Sequence, residues 1–272
     1  EIYLHLKLNN SYNFNFYEDQ LKKILPKAIL IQSTIDPIQR LWVYWGKKLG
    51  VKIICQQHGI FSSLSVPEIK ERNIVDYYLS FGKKQSELIK KIIPIDKHIY
   101  LYDQKFFYSK INSKREINLC LIGTDHERYG VEGQKNKETI LSIYKKFIIS
   151  SNNNVSQKLK FFYKIHPSEF LFNDIFENAS IFRDKNYDNI DIYVGIASTM
   201  LMNMASKKVC TIQILSKDFI QDNYETYGFC KSIEINSNNH INFDLLLNSK
   251  IKIPYLHKKN INKILNDILK NN

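Results

Sequence analysis

The chain has 272 residues with a formal net charge of +12, and 44% of its residues are hydrophobic while 24% are charged. These values are typical of a folded protein with a buried core and argue against a chain too polar to fold. The four cysteines form no Cys-x-x-Cys pair, which argues against a disulfide scaffold or zinc knuckle and favours a reducing compartment. No apolar run approaches the roughly 20 residues of a membrane helix.

In the first hundred residues, short apolar runs alternate with amphipathic stretches. Ala28–Ile31 predicts a buried strand. Asp36 and Pro37 then predict the start of a helix, in which apolar residues recur at helical spacing until Gly50. The other elements predicted here are a strand at Ile2–Leu6, strands Val51–Cys55 and Tyr77–Phe81, and a Lys-rich helix Lys83–Ile93.

The segment Asp103–Lys114 is polar and aromatic without a clean period, which predicts a linker. The alternation then restarts, with predicted strands Ile117–Ile122, Leu159–Ile165, Ile192–Gly195 and Val209–Ile214, helices Lys137–Ile149, Met200–Ala205 and Asn260–Leu269, and polar loops Asp125–Gly133 and Ser150–Ser156. Two such arrays predict an α/β protein with two Rossmann-like domains facing a cleft, residues 1–105 and 115–272. The first array is short and begins without Met, which suggests a trimmed N-terminus.

In open α/β sheets, ligands bind outside the carboxyl ends of the strands, so the residues that follow each strand are the candidates. The first candidate is Gln57-His58-Gly59 after the second strand. His58 at this place could take a proton from a hydroxyl nucleophile near neutral pH. The alternative is a turn histidine beside a structural glycine.

The second candidate is Lys164-Ile165-His166-Pro167, with Glu169 two residues later. A buried run directs His166 out of the strand end, and Pro167 restricts the turn that follows. The imidazole could bind a phosphate or protonate a leaving phosphate oxygen. The alternative is a capping histidine at an ordinary strand end.

The third candidate is Ser198-Thr199, which follows a predicted strand and precedes a helix. Hydroxyls and free backbone N–H groups at a helix N-terminus form a phosphate site. The alternative is a plain N-cap, because Ser and Thr are common caps. Gly123-Thr124 follows another strand, where the backbone could approach a nucleotide.

Together these motifs resemble those of GT-B bacterial transferases that use cytidine nucleotides: sialyltransferases and polysialyltransferases, capsule Kdo transferases, and CDP-glycerol glycerophosphotransferases. His166-Pro167 is similar to their His-Pro motif and Ser198-Thr199 to their Ser-Ser/Thr motif, and the resemblance covers roughly residues 28 to 215. In the family these two motifs hold the nucleotide and its phosphate. The usual acidic-acidic-Gly motif is replaced by Gln57-His58-Gly59, which looks more like the glycerophosphotransferases.

The resemblance implies a GT-B-like glycosyltransferase that moves a sialic-acid-like or Kdo-like sugar from a CMP-activated donor to a bacterial surface polysaccharide or lipooligosaccharide. The alternative is a CDP-glycerol or CDP-polyol phosphotransferase of teichoic-acid-like polymer synthesis. His58 would deprotonate the acceptor and His166 would assist the leaving phosphate. The other expected contacts are acceptor-side Gln57 and Gly59, and nucleotide-binding Gly123, Thr124, Lys164, Pro167, Glu169, Ser198 and Thr199.

The expected partners are the nucleotide-activated donor and a glycan or lipid-linked glycan acceptor, without a cofactor. No Asp-x-Asp pair occurs, which disfavours a metal-dependent donor site. We expect a cytoplasmic protein without a nucleic-acid partner, and the Lys-rich helix Lys83–Lys91 could contact the inner membrane, although a solvated Lys face explains it equally well. A nucleic-acid-binding protein and an inactive partner-binding scaffold remain alternatives. The absence of Gly-x-Gly and Gly-x-Ser-x-Gly disfavours dehydrogenases and serine hydrolases.

Overall fold

A computed structural model of the chain describes residues 14–32, 36–60, 75–90, 98–108, 111, 116–124, 130–152, 158–166, 179–182, 189–235 and 252–270. The chain divides into two compact units, Glu1–Asp103 with Lys258–Asn272 and Gln104–His257. The strands are β1 Ala28–Ile31, β2 Lys52–Gln56, β3 Tyr77–Ser80, β4 His98–Tyr100, β5 Tyr102–Tyr108, β6 Glu116–Ile122, β7 Lys158–Lys164, β8 Ala179–Phe182, β9 Ile192–Gly195, β10 Cys210–Ser216, β11 Lys231–Ile235 and β12 Lys252–Lys258. The helices are α1 Phe14–Ile24, α2 Pro37–Lys48, α3 Lys83–Lys90, α4 Gly130–Asn152, α5 Thr199–Ser206 and α6 Ile261–Lys270.

The first unit contains a parallel sheet in the order β1-β2-β3-β4. The predicted start of α2 is confirmed, because the Asp36 carboxylate accepts a hydrogen bond of 2.9 Å from the Gln39 backbone N–H and Pro37 occupies the first turn. The predicted end is also confirmed, because Gly50 follows the helix with a φ of 71°. Glycine adopts this left-handed backbone without the steric cost that a Cβ atom would add.

Both faces of the central strands β2 and β3 are buried, which explains their short, continuous apolar sequences. Ile53 and Cys55 of β2 belong to a cluster that includes Val43 of α2. Ile54 points to the other face, where it belongs to a cluster with Ile268 of α6. The last helix therefore lies in the first unit, which differs from its predicted place in a second domain of residues 115–272.

The predicted linker Asp103–Lys114 is wrong over its first part, because residues 102–108 form strand β5. Its hydrogen-bonded neighbour is β12, which lies far along the chain. Most side chains of β5 are exposed, so this strand lacks the alternating apolar pattern that identifies a strand in sequence. The pairing between distant segments, and not a local pattern, makes this segment a strand.

The second unit contains a six-stranded sheet in the order β11-β10-β9-β6-β7-β8. All its pairings are parallel. Strand β6 lies between β9 and β7, and its buried face packs in one cluster with Ile140, Tyr144 and Phe147 of α4. The two parallel sheets with crossing helices confirm the predicted α/β class with Rossmann-like units.

The observed ends of several helices and strands differ from the predicted ends by a few residues. The largest of these differences is in α4. This helix runs from Gly130 to Asn152, so residues 130–136, which include the end of the predicted polar loop, are helical. The first turns are mainly polar and exposed, which hides the helical period in the sequence. The predicted strand Ile2–Leu6 and residues 91–93 of the predicted Lys-rich helix lie outside the described residues.

All four cysteines are free and buried. Burial raises the pKa of the Cys55 thiol to about 12 and that of the Cys120 thiol to about 12, so both thiols stay protonated at neutral pH. Within the part of the chain that the structure describes, no helix is both long and apolar enough to cross a membrane.

His98 on strand β4 predicts a pH dependence of stability. Its Nδ1 lies 2.9 Å from Ser86 Oγ, and its Nε2 is buried with no hydrogen-bond partner among the described residues. Burial, and to a lesser degree the Lys90 charge, lowers the pKa of His98 to about 4. The unfolded chain takes up this proton near pH 6.5, so the stabilisation is complete above that pH and is lost as the pH falls towards 4.

We therefore expect the free energy of unfolding to fall between pH 6.5 and pH 4 by at most about 1.4 kcal/mol per pH unit through this residue. The measurement is urea unfolding at several pH values in this range for the native chain and for His98→Gln. In His98→Gln, the free energy of unfolding should depend less on pH in this range, because the contribution of His98 is absent. A control variant at the exposed His257, His257→Gln, should keep it, and equal slopes in all three proteins would contradict the prediction.

Candidate functional site

Three strands of the second sheet end at the same level. Ile122 of β6 pairs with Lys164 of β7, and Leu121 pairs with Val194 of β9. The strands are parallel neighbours, so their carboxyl ends meet at one edge of the sheet. Three predicted motifs therefore begin side by side at this edge: Gly123-Thr124, His166 and Ser198-Thr199.

Backbone contacts continue past the end of β6. The Gly123 N–H donates a 2.7 Å hydrogen bond to the Lys164 carbonyl, which extends the β6–β7 ladder by one residue. Thr124 is only 5% exposed, although it follows the strand. His166 is half-buried and follows the buried Ile165, while Pro167 and Glu169 lie outside the described residues. The edge thus combines a buried hydroxyl with a partly accessible imidazole.

Ser198 is the N-cap of helix α5. Its φ of −152° and ψ of 131° are those of an extended cap residue, and its hydroxyl oxygen accepts a 3.2 Å hydrogen bond from the Met200 N–H. The cap interpretation is therefore correct for the Ser198 oxygen. The hydroxyl hydrogen is not used by this bond, so Ser198 can cap the helix and still donate to an anion. Thr199 is the first residue of the helix.

Gln213 of β10 anchors the loops at this edge and was not among the residues predicted from the sequence. Its side chain is fully buried. Its amide Nε2 donates to the Ile196 carbonyl at 3.0 Å and to the Asp222 carbonyl at 2.8 Å. Its Oε1 accepts from the Tyr224 N–H at 2.7 Å and from Ser232 Oγ at 3.0 Å.

These bonds hold three segments together: the turn that leads from β9 into Ser198, the loop after β10, and the start of β11. A buried amide uses both its donors and its acceptor in this way because an unsatisfied polar group would be costly. The one signal in the sequence is a glutamine within the apolar strand 210–216, a residue type that is rarely buried. Gln213 thus positions the Ser198 turn.

The motif of the first unit contains a second buried glutamine. Gln57 is 1% exposed, and its Nε2 donates to the Gly59 carbonyl at 2.8 Å and to Gln85 Oε1 at 2.7 Å. Its Oε1 accepts from the Phe81 N–H at 2.7 Å. Because these hydrogen bonds are all internal, the side chain holds the loop after β2 against the loop after β3. The structure gives Gln57 this positioning role and no exposed surface for the predicted acceptor contact.

His58, the next residue, is exposed. Gly59 lacks a positive φ, and a Cβ atom added there would meet nothing within 4 Å. The backbone and the space around this position therefore do not require glycine. What the loop provides is an imidazole held outward by the internal bonds of its neighbour Gln57.

Among the described residues, no group of three or more His, Cys, Asp or Glu side chains could hold a metal ion. Among the described residues at the edge of the second sheet, the polar groups include hydroxyls, an imidazole and the amine of Lys164. Such groups donate hydrogen bonds and suit an anionic ligand such as a phosphate.

No protein-family model matches the chain, and no curated protein matches it. Among solved structures, it is similar to a UDP-N-acetylglucosamine 2-epimerase with 8% identity and a TM-score of 0.52, covering 86% of this chain and 67% of the other. For MurG from Acinetobacter baumannii the identity is 9% and the TM-score 0.48, and the match covers 87% of this chain and 70% of MurG. For MnaA from S. aureus, in a co-structure with UDP, the identity is 11% and the TM-score 0.49, and the match covers 74% of this chain and 61% of MnaA.

The chain spans between 59% and 62% of the length of three matched chains, which are MnaA and two 2-epimerases. At these identities the similarity concerns the fold alone. Together with the two parallel sheets, it confirms the predicted α/β fold of the GT-B type.

Proposed function

We propose that this protein binds a nucleotide-activated sugar or polyol at the carboxyl edge of its second sheet and transfers the activated unit to a glycan acceptor. The observation that carries the proposal is the alignment of Gly123-Thr124, His166 and Ser198-Thr199 at the ends of three adjacent parallel strands. Ligands of open α/β sheets bind at this edge, and a helix N-terminus there favours a phosphate.

For the donor we propose a cytidine nucleotide, with a CMP-linked sugar as the first candidate. This choice rests on the similarity of His166-Pro167 and Ser198-Thr199 to the motifs of cytidine-dependent transferases. The His58-Gly59 pair favours a CDP-polyol as the second candidate, because the glycerophosphotransferases carry His-Gly at this place. The 2-epimerase of similar fold acts, by its name, on UDP-N-acetylglucosamine, so UDP is the competing nucleotide in any test.

The proposed reaction balances without a metal or cofactor. An acceptor hydroxyl oxygen attacks the anomeric carbon of a CMP-sugar, and the bond between this carbon and the phosphate oxygen breaks. His58 takes the acceptor proton, and CMP leaves with its phosphate charge stabilised by His166 and by the N–H groups around Ser198. With a CDP-polyol, the attack is on the β-phosphorus and CMP is again the leaving group.

Thermal unfolding with CMP, CDP, UDP and GDP tests the choice of nucleotide. A nucleotide that binds only the folded chain adds about 2.7 kcal/mol at a concentration of 100 Kd, so a clear rise in the midpoint is expected with CMP or CDP. UDP and GDP should give smaller shifts at equal concentration. A larger shift with UDP would overturn the cytidine assignment, and no shift with any of the four would overturn the proposed function.

A further inference from the structure

Leu25, the residue that follows helix α1, has a backbone and an exposure that its local structure does not explain. Its φ of 49° is a left-handed conformation, which is costly for a bulky side chain and which glycine or asparagine adopts more easily. Its side chain is 77% exposed, so burial does not offset this cost. Lys208, just beyond helix α5, has a similar φ of 61° but an exposed polar side chain. A leucine at Leu25 therefore points to a contact outside the folded chain.

The turn after helix α2 carries a second exposed leucine, Leu49. Leu21 of α1 and Trp45 of α2 belong to one buried cluster, which joins the two helices. The Leu25 N–H donates a 2.8 Å hydrogen bond to the Leu21 carbonyl, and the Leu49 N–H donates a 3.0 Å bond to the Trp45 carbonyl. Leu25 and Leu49 therefore each stand one helical turn beyond this shared cluster.

Both turns lie at the amino edge of the first sheet. Residues 25–27 lead into β1, and residues 49–51 lead into β2. The two strands are parallel, and their first residues, Ala28 and Lys52, pair with each other. His58 follows the opposite end of β2. We call the exposed residues of these turns and of the last helical turns before them the amino-edge surface, which consists of Lys22, Lys23, Ile24, Leu25, Lys27, Lys47, Lys48 and Leu49.

The amino-edge surface is basic as well as apolar. Its most exposed aliphatic side chain after Leu25 is Ile24, at 63%. Its five lysines outnumber the carboxylates that pair with them, because Lys22 pairs with Glu18 at 2.7 Å and Lys47 with Asp76 at 3.1 Å. Exposed ion pairs of this kind are weak, so these two lysines can also exchange partners.

An anionic lipid surface suits this combination better than a second copy of the chain does. In a symmetric dimer the surface would meet itself, and lysines would face lysines. At an anionic membrane, lysines lie against the lipid phosphates while aliphatic side chains enter the boundary between headgroups and acyl chains. The exposed aliphatic residues stand at helix ends among lysines, which is the arrangement that such a contact uses.

We infer that the amino-edge surface binds an anionic membrane surface, with Ile24 and Leu25 inserted among the lipids and the lysines against the headgroups. The inference goes beyond the proposed function and does not depend on the nucleotide. It also differs from the contact predicted for the Lys-rich helix. The described exposed residues of α3 are all charged: Lys83, Lys84, Glu87 and Lys90.

Co-sedimentation of the full chain with vesicles tests the inference. The vesicles contain phosphatidylcholine alone or with about 30% phosphatidylglycerol. The native chain should bind the anionic vesicles more tightly than the neutral ones, and added salt should weaken this binding. Leu25→Asn is expected to weaken it by about 10-fold, because a leucine side chain no longer leaves water. The matched control is Ile220→Asn in the second unit, at a residue 80% exposed, which should leave binding unchanged.

A second pair of variants tests the lysines. The double substitution Lys23→Gln and Lys27→Gln should weaken binding to the anionic vesicles by about fivefold for each lysine removed, because each loses its attraction to the lipid charge. The control makes the same change of charge on α3, at Lys83→Gln and Lys84→Gln, and should bind like the native chain. Weakened binding in this control alone would place the contact on α3 and overturn the inference.

Thermal unfolding separates a lipid contact from a structural role. Asparagine adopts the left-handed backbone more readily than leucine, so the unfolding midpoint of Leu25→Asn should be unchanged or higher. A lowered midpoint with unchanged vesicle binding would show that Leu25 is structural and would overturn the inference. So would a native chain that binds no vesicles or binds both kinds equally, or a native dimer that Leu25→Asn converts to a monomer. Nucleotide binding should be the same in all these variants, so the proposed function is tested separately.

Discussion

Replacing His166 with alanine is expected to lower turnover by about 10²- to 10⁴-fold while the fold survives. The imidazole is half-buried at the carboxyl edge of the second sheet, one residue beyond the apolar layer that includes Ile165. Its removal is therefore expected to take away the proposed donor to the leaving phosphate without opening the core. We expect a similar loss for His58→Ala, because the exposed imidazole of His58 is the group that we propose takes the acceptor proton.

The measurement is the rate of transfer from the donor whose nucleotide stabilises the protein most, with thermal unfolding as a check of folding. The two variants should differ in binding: His166→Ala should weaken CMP binding, whereas His58→Ala should leave it unchanged. His257→Ala serves as the control, since His257 is an exposed histidine on β12. Near-normal turnover in both His58→Ala and His166→Ala would refute the assigned roles.

Replacing Gln213 with methionine is expected to lower the free energy of unfolding of the second unit by about 3–5 kcal/mol. Methionine fills a similar volume, so the loss comes from hydrogen bonding and not from a cavity. The substitution leaves the carbonyls of Ile196 and Asp222 and the N–H of Tyr224 without their present partner. Each buried polar group left unsatisfied costs about 1–3 kcal/mol.

Urea unfolding of the native chain and Gln213→Met, followed by far-UV circular dichroism, measures this loss. The matched control is Gln134→Met on the exposed face of α4, where the same chemical change removes at most one weak 3.4 Å bond to Glu138. We expect the control to change stability by less than about 0.5 kcal/mol. Hydrogen exchange should also accelerate at Tyr224, and equal stability of the two variants would contradict the anchoring role of Gln213.

The fold class was predictable because parallel strands buried on both faces are continuous apolar runs. Strand β6 illustrates this, since Leu119, Cys120 and Leu121 are all fully buried and the predicted strand differs from the observed one by a single residue. Helix α2 was predictable because its start depends on a local contact between Asp36 and Gln39. Signals of this kind involve residues a few positions apart and can be found in the sequence.

Strand β5 and the place of helix α6 were not predicted correctly, because both depend on distant partners. Strand β5 has a mainly exposed surface and pairs with β12, so its own residues carry no strand period. Helix α6 was predicted as a helix, but its place in the first unit follows from Ile268, which packs in one cluster with Ile54 and Leu79. An apolar face in the sequence shows that a helix is buried, but it does not show against which sheet.

The candidate site was likewise predictable from the sequence only in part. The sequence by itself determined which residues follow each strand, so it identified His58, Gly123-Thr124, His166 and Ser198 from a pattern that ends at the strand termini. Only the tertiary structure decided that β6 lies between β7 and β9, which brings three of these strand ends to one edge. It also decided that Gln57 and Gln213 are buried anchors. The physical reason is that burial and hydrogen-bond partners depend on chain segments far apart in sequence, whereas periodicity and capping depend on neighbours.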